Sequence, residues 1–318
     1  MESHQSLFLK AYYPREYMVA TINNYGGFYR TELYVHEARK HGARVEPPCV
    51  NCGQAESVIE GRTIFMGMSF IKSLDFRTIE LVVQARAAGG AFTSLEDFVA
   101  RVPATLEHVT LLVRAGAFRF TGEGKKELLW RVHLLLGKTK KDKHRPQTLF
   151  QPPVKSYDLP TLFTAAHEDA FDELELLGFP LSDPFLLLAE PLPEHVVARQ
   201  LPQHVGQEVT VVGYQVTVKP TKSKKGQRMF FGTFLDAEGE WLDTVHFPPV
   251  AEKFPFRGRG VYAVRGTVSE EFGCISVEAN WMERLPVIQD PRYAEASTVT
   301  RIRANEPHQS HRSSRWQH

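Results

Sequence analysis

Apolar positions recur at helical spacing over residues 5–42 and 63–136 of the chain. In the first stretch Pro14 stands where a first helical residue would, because its φ is pre-set and no amide donor is needed there. Arg30–His41 is amphipathic and stops at Gly42, a natural residue to follow a helix. Residues 43–62, with Pro47, Pro48 and Gly53, read as a loop. In the second stretch Thr93 followed by Glu96 is a capping-box signature ahead of Leu95, Phe98, Val99 and Val102. Leu106, Val109, Leu112 and Val113 make one apolar stripe; Leu128, Leu129, Val132, Leu135 and Leu136 make another. A short helix is predicted over Ala165–Leu177.

From Gly206 the period changes to two. Five strand-like runs follow: Glu208–Val218, Arg228–Leu235, Trp241–Phe247, Gly260–Val268 and Cys274–Trp281. Turn residues separate them at Ser223–Gly226, Asp236–Gly239 and Glu270–Gly273. Between the third and fourth runs, Pro248–Phe254 has room for one or two helical turns. Five short strands with a helix after the third is the order of an OB-fold barrel.

Composition divides what the pattern leaves open. Across 318 residues, 38 Lys plus Arg balance 37 Asp plus Glu, so any nucleic-acid contact must come from local clusters. A hydrophobic share of 42 % with 24 % charged residues excludes a mostly disordered chain. No apolar run reaches the ~18–20 residues of a membrane span, and no signal peptide is visible at the start. The three cysteines cannot form a disulfide framework, which points to a reducing, cytoplasmic compartment. Residues 138–202 begin with Lys138, Lys140, Lys141, Lys143 and Arg145 and turn Pro-rich, as a basic linker does. From Pro286 the chain reads as a disordered polar tail, 286–318.

Several segments, in order, carry a resemblance. Leu9–Met18 (LKAYYPREYM), Glu37–Gly42 (EARKHG), Pro47–Asn51 (PPCVN), Gly67–Lys72 (GMSFIK), Phe92–Phe98 (FTSLEDF), Leu112–Phe118 (LVRAGAF) and Gly178–Pro184 (GFPLSDP) stand in one sequence. Together they resemble the bacterial DNA polymerase III alpha subunit from the end of its fingers region onward. Asn23–Tyr29 (NNYGGFY) looks somewhat more like the error-prone paralogue. The resemblance implies a multidomain α+β chain: a fingers remnant at 5–62, a helix-hairpin-helix domain at 63–137, the linker, and a five-stranded OB-fold β-barrel at 203–285. The family's phosphatase-like domain and palm lie upstream of these segments. The palm holds the carboxylates that bind Mg²⁺ for nucleotidyl transfer. No such cluster can be assigned here, so no catalytic residue, metal or cofactor is expected in this chain. Asp169, Asp172, Glu173 and Glu175 read as a solvated helical face. The start, Met1–His4, interrupts what would be a longer helix, implying a C-terminal fragment or a split gene product.

The implied role is DNA binding and clamp tethering in replication or translesion synthesis. The alternatives are one subunit of a split, active DNA-directed DNA polymerase, completed by an upstream half on another chain, and a stand-alone single-strand-binding module. The family's first hairpin carries Lys-Gly-hydrophobic-Gly. Here it reads Lys72-Ser73-Leu74-Asp75, with an acid where a phosphate would sit, so a packing hairpin is expected. The second region keeps Arg114, Gly116, Gly122, Gly124, Lys125 and Lys126, and its three cations are candidates for duplex backbone. In the barrel, Lys219, Lys222, Lys224, Lys225 and Arg228 fall between strands one and two with no acid among them. That loop is one with which OB folds hold oligonucleotides. Phe230 and Trp241 are the expected stacking residues; alternation puts Phe230 and Phe231 on opposite faces, one in the core and one open to a base. In the linker, Gln147, Leu149 and Phe150 occupy the place of the family's sliding-clamp motif, with Gln147 one residue closer than usual. Cys49 and Cys52 have zinc-like spacing, but four ligands are needed and no second pair exists.

Overall fold

The computed structural model describes residues 2–137, 165 and 167–290, arranged as a helical lobe and a barrel lobe. The helical lobe opens with α1 (Glu2–Tyr12), α2 (Pro14–Asn23) and α3 (Thr31–Lys40), with Pro14 at the head of α2 as the pattern requires. Residues 43–62, expected as a loop, supply two strands of a small sheet. In it β1 (Arg44–Glu46) runs parallel, and β2 (Val58–Glu60) antiparallel, to a central β3 (Thr63–Phe65). Strands of three residues are too short for alternation to show; burial of Val45 and Ile64 holds them instead.

Four helices follow: α4 (Phe76–Gly89), α5 (Leu95–Arg101), α6 (Leu106–Arg114) and α7 (Lys125–Leu136). The α5 cap is Ser94 rather than Thr93. Its hydroxyl accepts the Asp97 amide at 3.2 Å, and the Asp97 carboxylate reaches back to the Thr93 amide at 3.0 Å. After the linker comes α8 (Glu168–Leu176). One hydrophobic core runs from Met18 to Leu181 through α2 to α8 and the small sheet, while the apolar side chains of α1 stay exposed. At its centre the Phe92, Phe98 and Phe118 rings meet edge to face at 5.0 and 4.9 Å.

The barrel contains β4 (Glu208–Lys222), β5 (Arg228–Leu235), β6 (Trp241–His246), α9 (Pro248–Lys253), β7 (Val261–Glu271) and β8 (Cys274–Arg284). It closes in the order β4-β5-β6-β8-β7, antiparallel throughout except for the β6–β8 pair. This is the mixed five-stranded barrel, with a helix between its third and fourth strands, that the OB-fold pattern predicts. Gly266 sits at a register shift of β7 against β8, where a Cβ would stand 2.2 Å from the Glu278 carbonyl oxygen. Only glycine lets the two strands close there. The first residues of the segment expected as a tail from Pro286 are tied down: Leu188 bridges Val287, and the Ile288 amide donates to Leu187 at 2.8 Å.

The barrel is not free of the helical lobe. Val209 and Val211 face its interior, whereas Val212, Tyr214 and Val216 pack outward in a second cluster with Leu33 of α3. Arg259 pairs with the fully buried Glu32 at 3.0 Å. Burial pushes Glu32 up to about 7, with Arg259 and the Tyr214 hydroxyl acting against it. Among the described residues no helix is long and apolar enough to cross a membrane.

Candidate nucleic-acid interface

The first hairpin is built without glycine at some cost. Ser73 takes a left-handed φ of 65°, a conformation that glycine adopts freely. Asp75 accepts the Arg77 amide at 3.3 Å, so its carboxylate already occupies the N-terminus of α4. A phosphate has no place there.

The second hairpin is closed by charge. Arg114 donates from Nε to Asp172 at 2.9 Å and from Nη1 to Glu175 at 3.1 Å. Lys125 pairs with Asp169 at 2.6 Å, and Lys126 with Glu168 at 2.8 Å. Thus α8 is not the solvated acidic face that its sequence predicts. Asp172 and Glu173 are buried, and Glu173 accepts the Leu181 and Ser182 amides at 2.7 Å each. In the fold each of the three hairpin cations expected on DNA has a carboxylate partner on α8. Charge pairing across the linker was invisible in sequence, because the partners lie 58 or more residues apart for Arg114.

The five barrel cations divide. β4 runs on to Lys222, so Lys219 and Lys222 lie on a strand rather than in a loop. The turn itself is Ser223–Gln227, closed by the Ser223 amide on the Gln227 carbonyl at 2.8 Å. Lys222, Lys224, Lys225 and Arg228 are exposed there, and Arg228 faces Lys222 in register. The Arg228 guanidinium also lies over the Phe230 ring, 4.9 Å from its centre. Lys219 turns to the helical lobe: its ammonium stands 3.2 Å from the Phe28 ring centre and 4.0 Å from that of Tyr29.

Both expected stacking residues have contacts within the protein. Phe230 is half-buried and packs on Phe256 at 5.7 Å. The exposed member of the pair is Phe231, at 46 %, in register with Lys219 and Val245. Trp241 is committed to the lobe contact: its Nε1 donates to Glu37 at 2.6 Å and its ring meets His36 edge to face. Phe28 and Tyr29 were missed in the sequence as site residues. The signal available was a pair of aromatics directly after Gly26-Gly27, outside any periodic element. Gly26 has φ 87°, and a Cβ there would stand 2.5 Å from the Tyr29 carbonyl oxygen, so the turn that presents Phe28 requires glycine. The clamp residues Gln147, Leu149 and Phe150 lie outside the described residues. Among those described, no group of three or more His, Cys, Asp or Glu is placed to hold a metal ion.

Comparison with known proteins accords with this picture. The helix-hairpin-helix motif family matches residues 42–128. The DNA polymerase III subunit alpha of Treponema pallidum is 27 % identical over 277 residues, covering 79 % of this chain and 23 % of that protein. That of Pasteurella multocida is 29 % identical over 282 residues, again covering 79 % of this chain and 23 % of that protein. The error-prone DNA polymerase of Mycobacterium bovis is 34 % identical over 128 residues, covering 39 % of this chain and 12 % of that protein. The chain therefore spans a quarter or less of the length of these curated relatives.

Proposed function

We infer that this chain, homologous over most of its length to bacterial DNA polymerase III alpha subunits, is the C-terminal DNA-binding part of such a polymerase. It holds single-stranded and primer-template DNA in the cytoplasm. Nucleotidyl transfer, which needs clustered carboxylates around Mg²⁺, is assigned to a part of the polymerase other than this chain. The observation that carries the reading is the β4–β5 hairpin of a closed OB-like barrel. It exposes Lys222, Lys224, Lys225 and Arg228 with no acid between them, beside the exposed Phe231. A cationic hairpin and an open aromatic are the two parts from which single-strand sites are made.

The test is a salt titration. Each phosphate contact on a single strand gives a log–log slope of about −0.7, so replacing Lys222, Lys224 and Lys225 together by Ala flattens the slope by roughly 2. Thermal stability stays unchanged, because exposed charges contribute little to it. An unaltered slope on the same oligonucleotide would remove the hairpin from the DNA path.

Clamp tethering is part of the proposal and rests on Gln147, Leu149 and Phe150. Docking of the two apolar side chains in a cleft is worth on the order of 2 kcal/mol each. The Leu149→Ala, Phe150→Ala double variant is expected to lose the sliding clamp while keeping its oligonucleotide affinity. Undiminished clamp binding would exclude this segment.

A further inference from the structure

Between the helical lobe and the barrel lies a cleft of about 400 Å³, within the ~300–1,000 Å³ range of ligand pockets. One wall is the α2–α3 turn, which brings Phe28 and Tyr29. The other is the outer face of β5 and β6, which brings Thr233, Asp243 and Trp241. In an OB barrel, the face of the second and third strands is the one that carries oligonucleotides. Here β5 and β6 are those strands. The lobe junction thus covers part of that face and leaves a pocket instead of a flat platform.

The chemistry of the pocket is specific. Phe28 is 79 % exposed although Lys219 stands over it, so a ring face stays open to solvent. An exposed aromatic held by a glycine turn and fixed by a cation has lost its freedom before any ligand arrives. Asp243 accepts the Thr233 hydroxyl at 2.8 Å through Oδ1, and it remains exposed at the cleft. The Glu37 carboxylate is taken by the Trp241 indole at 2.6 Å and lies 3.8 Å from Lys10. Lys10 and the tyrosine hydroxyls are donors at the cleft, and Asp243 is its exposed acceptor. An acceptor beside a stacking ring suits a planar heterocycle that carries an exocyclic amino group. Lys219 and the exposed Phe231 stand in register on neighbouring strands, and they connect this cleft to the cationic hairpin tip.

We propose that the cleft takes one unpaired base that carries an exocyclic amino group, which cytosine, adenine and guanine do and thymine does not, of the single strand whose backbone the β4–β5 hairpin holds. The base stacks on Phe28 beside Tyr29 and gives its amino group to Asp243, while Lys219 stands at the cleft mouth for the neighbouring phosphate. This inference rests on the DNA-binding reading above and adds the base site to it. Thymine lacks the amino group, so the site distinguishes among pyrimidines although the hairpin does not.

The test uses the whole chain with oligo-dC, oligo-dA and oligo-dT of about a dozen nucleotides, near the upper end of OB-fold site sizes. The unaltered chain is expected to bind dC and dA more tightly than dT. Phe28→Ala should weaken dC binding roughly tenfold at an unchanged salt slope, because stacking releases no ions. Phe28 lies at the surface, so its removal leaves the core intact, and a thermal melt checks this directly. Asp243→Asn should abolish the preference for dC over dT. Two results are informative in different ways. If Phe28→Ala binds dC as the unaltered chain does, while the triple-lysine variant still loses its salt slope, the cleft is not the base site and the hairpin reading stands. If the unaltered chain binds none of the three oligonucleotides, both readings are overturned.

Discussion

The Arg114→Ala chain is expected to unfold with about 2–3 kcal/mol less stability than the unaltered protein, with no loss of duplex affinity. The sequence places Arg114 among the DNA-binding cations. In the fold its guanidinium joins α6 to α8 through Asp172 and Glu175. The Arg114 and Asp172 side chains are only 19 % and 12 % exposed, so water screens the pair weakly. Removing the guanidinium leaves Asp172 desolvated, with Lys125 still 3.7 Å away as partial compensation. That compensation and the residual exposure set the figure below the ~3–5 kcal/mol of a fully buried pair. Urea unfolding followed by circular dichroism measures the change, since the midpoint shifts at constant slope. A loss under about 0.5 kcal/mol, the size typical of a surface change, together with weaker binding to duplex DNA, would return Arg114 to the DNA interface.

The second large effect is in acid. Burial lowers His36 to about 3, with Arg39 adding to the shift, and lowers His246 to about 4. His36 lies under Trp241 at the lobe junction; His246 lies in the barrel, its Nε2 2.8 Å from the Thr244 hydroxyl. Both stay neutral in the folded chain, while the unfolded chain protonates them near 6.5. Between those values the unfolded state binds more protons, so stability is full above pH ~6.5 and falls as the pH drops towards 4 and 3. Each histidine accounts for a loss of about 3 kcal/mol by pH ~4.

Glu32 acts in the opposite sense. Its folded value of about 7 exceeds the unfolded value of 4.5, so its contribution is full below pH 4.5 and is lost as the pH rises to about 7. Glu32→Gln removes this opposing slope and is expected to make acid unfolding steeper. Carbon-detected carboxyl shifts and histidine ring protons read the three groups separately. A histidine at either position titrating between pH 6 and 7 in the folded chain would overturn the assignment.

The OB-like barrel was legible from the sequence because it is written in a local code. Alternation marks each strand, Gly and Ser mark each turn, and Pro248-Pro249 marks the helix between β6 and β7. The helical lobe was legible for the same reason, down to Pro14 at the head of α2. The three-residue strands β1–β3 were not, because a strand that short has no period of its own to display. The strand order of the barrel and the position of its helix therefore follow from spacing alone.

Which charged and aromatic side chains remain available for DNA was decided only by tertiary structure. Ten residues looked alike in sequence as candidate DNA contacts: cations and aromatics near turns and glycines. Folding sorts them by partners that are far away along the chain. Trp241 meets Glu37, 204 residues distant, and Arg114 meets Asp172 across 58 residues, while Lys222, Lys224 and Lys225 stay exposed at the hairpin tip. The same contacts bring Phe28 from the helical lobe to Lys219 of the barrel. Periodicity reports which face of an element is apolar, because one element's backbone repeats at 2 or 3.6 residues. It carries no information on what packs against that face, because the opposing charge or ring comes from another element whose position is set by the burial of both.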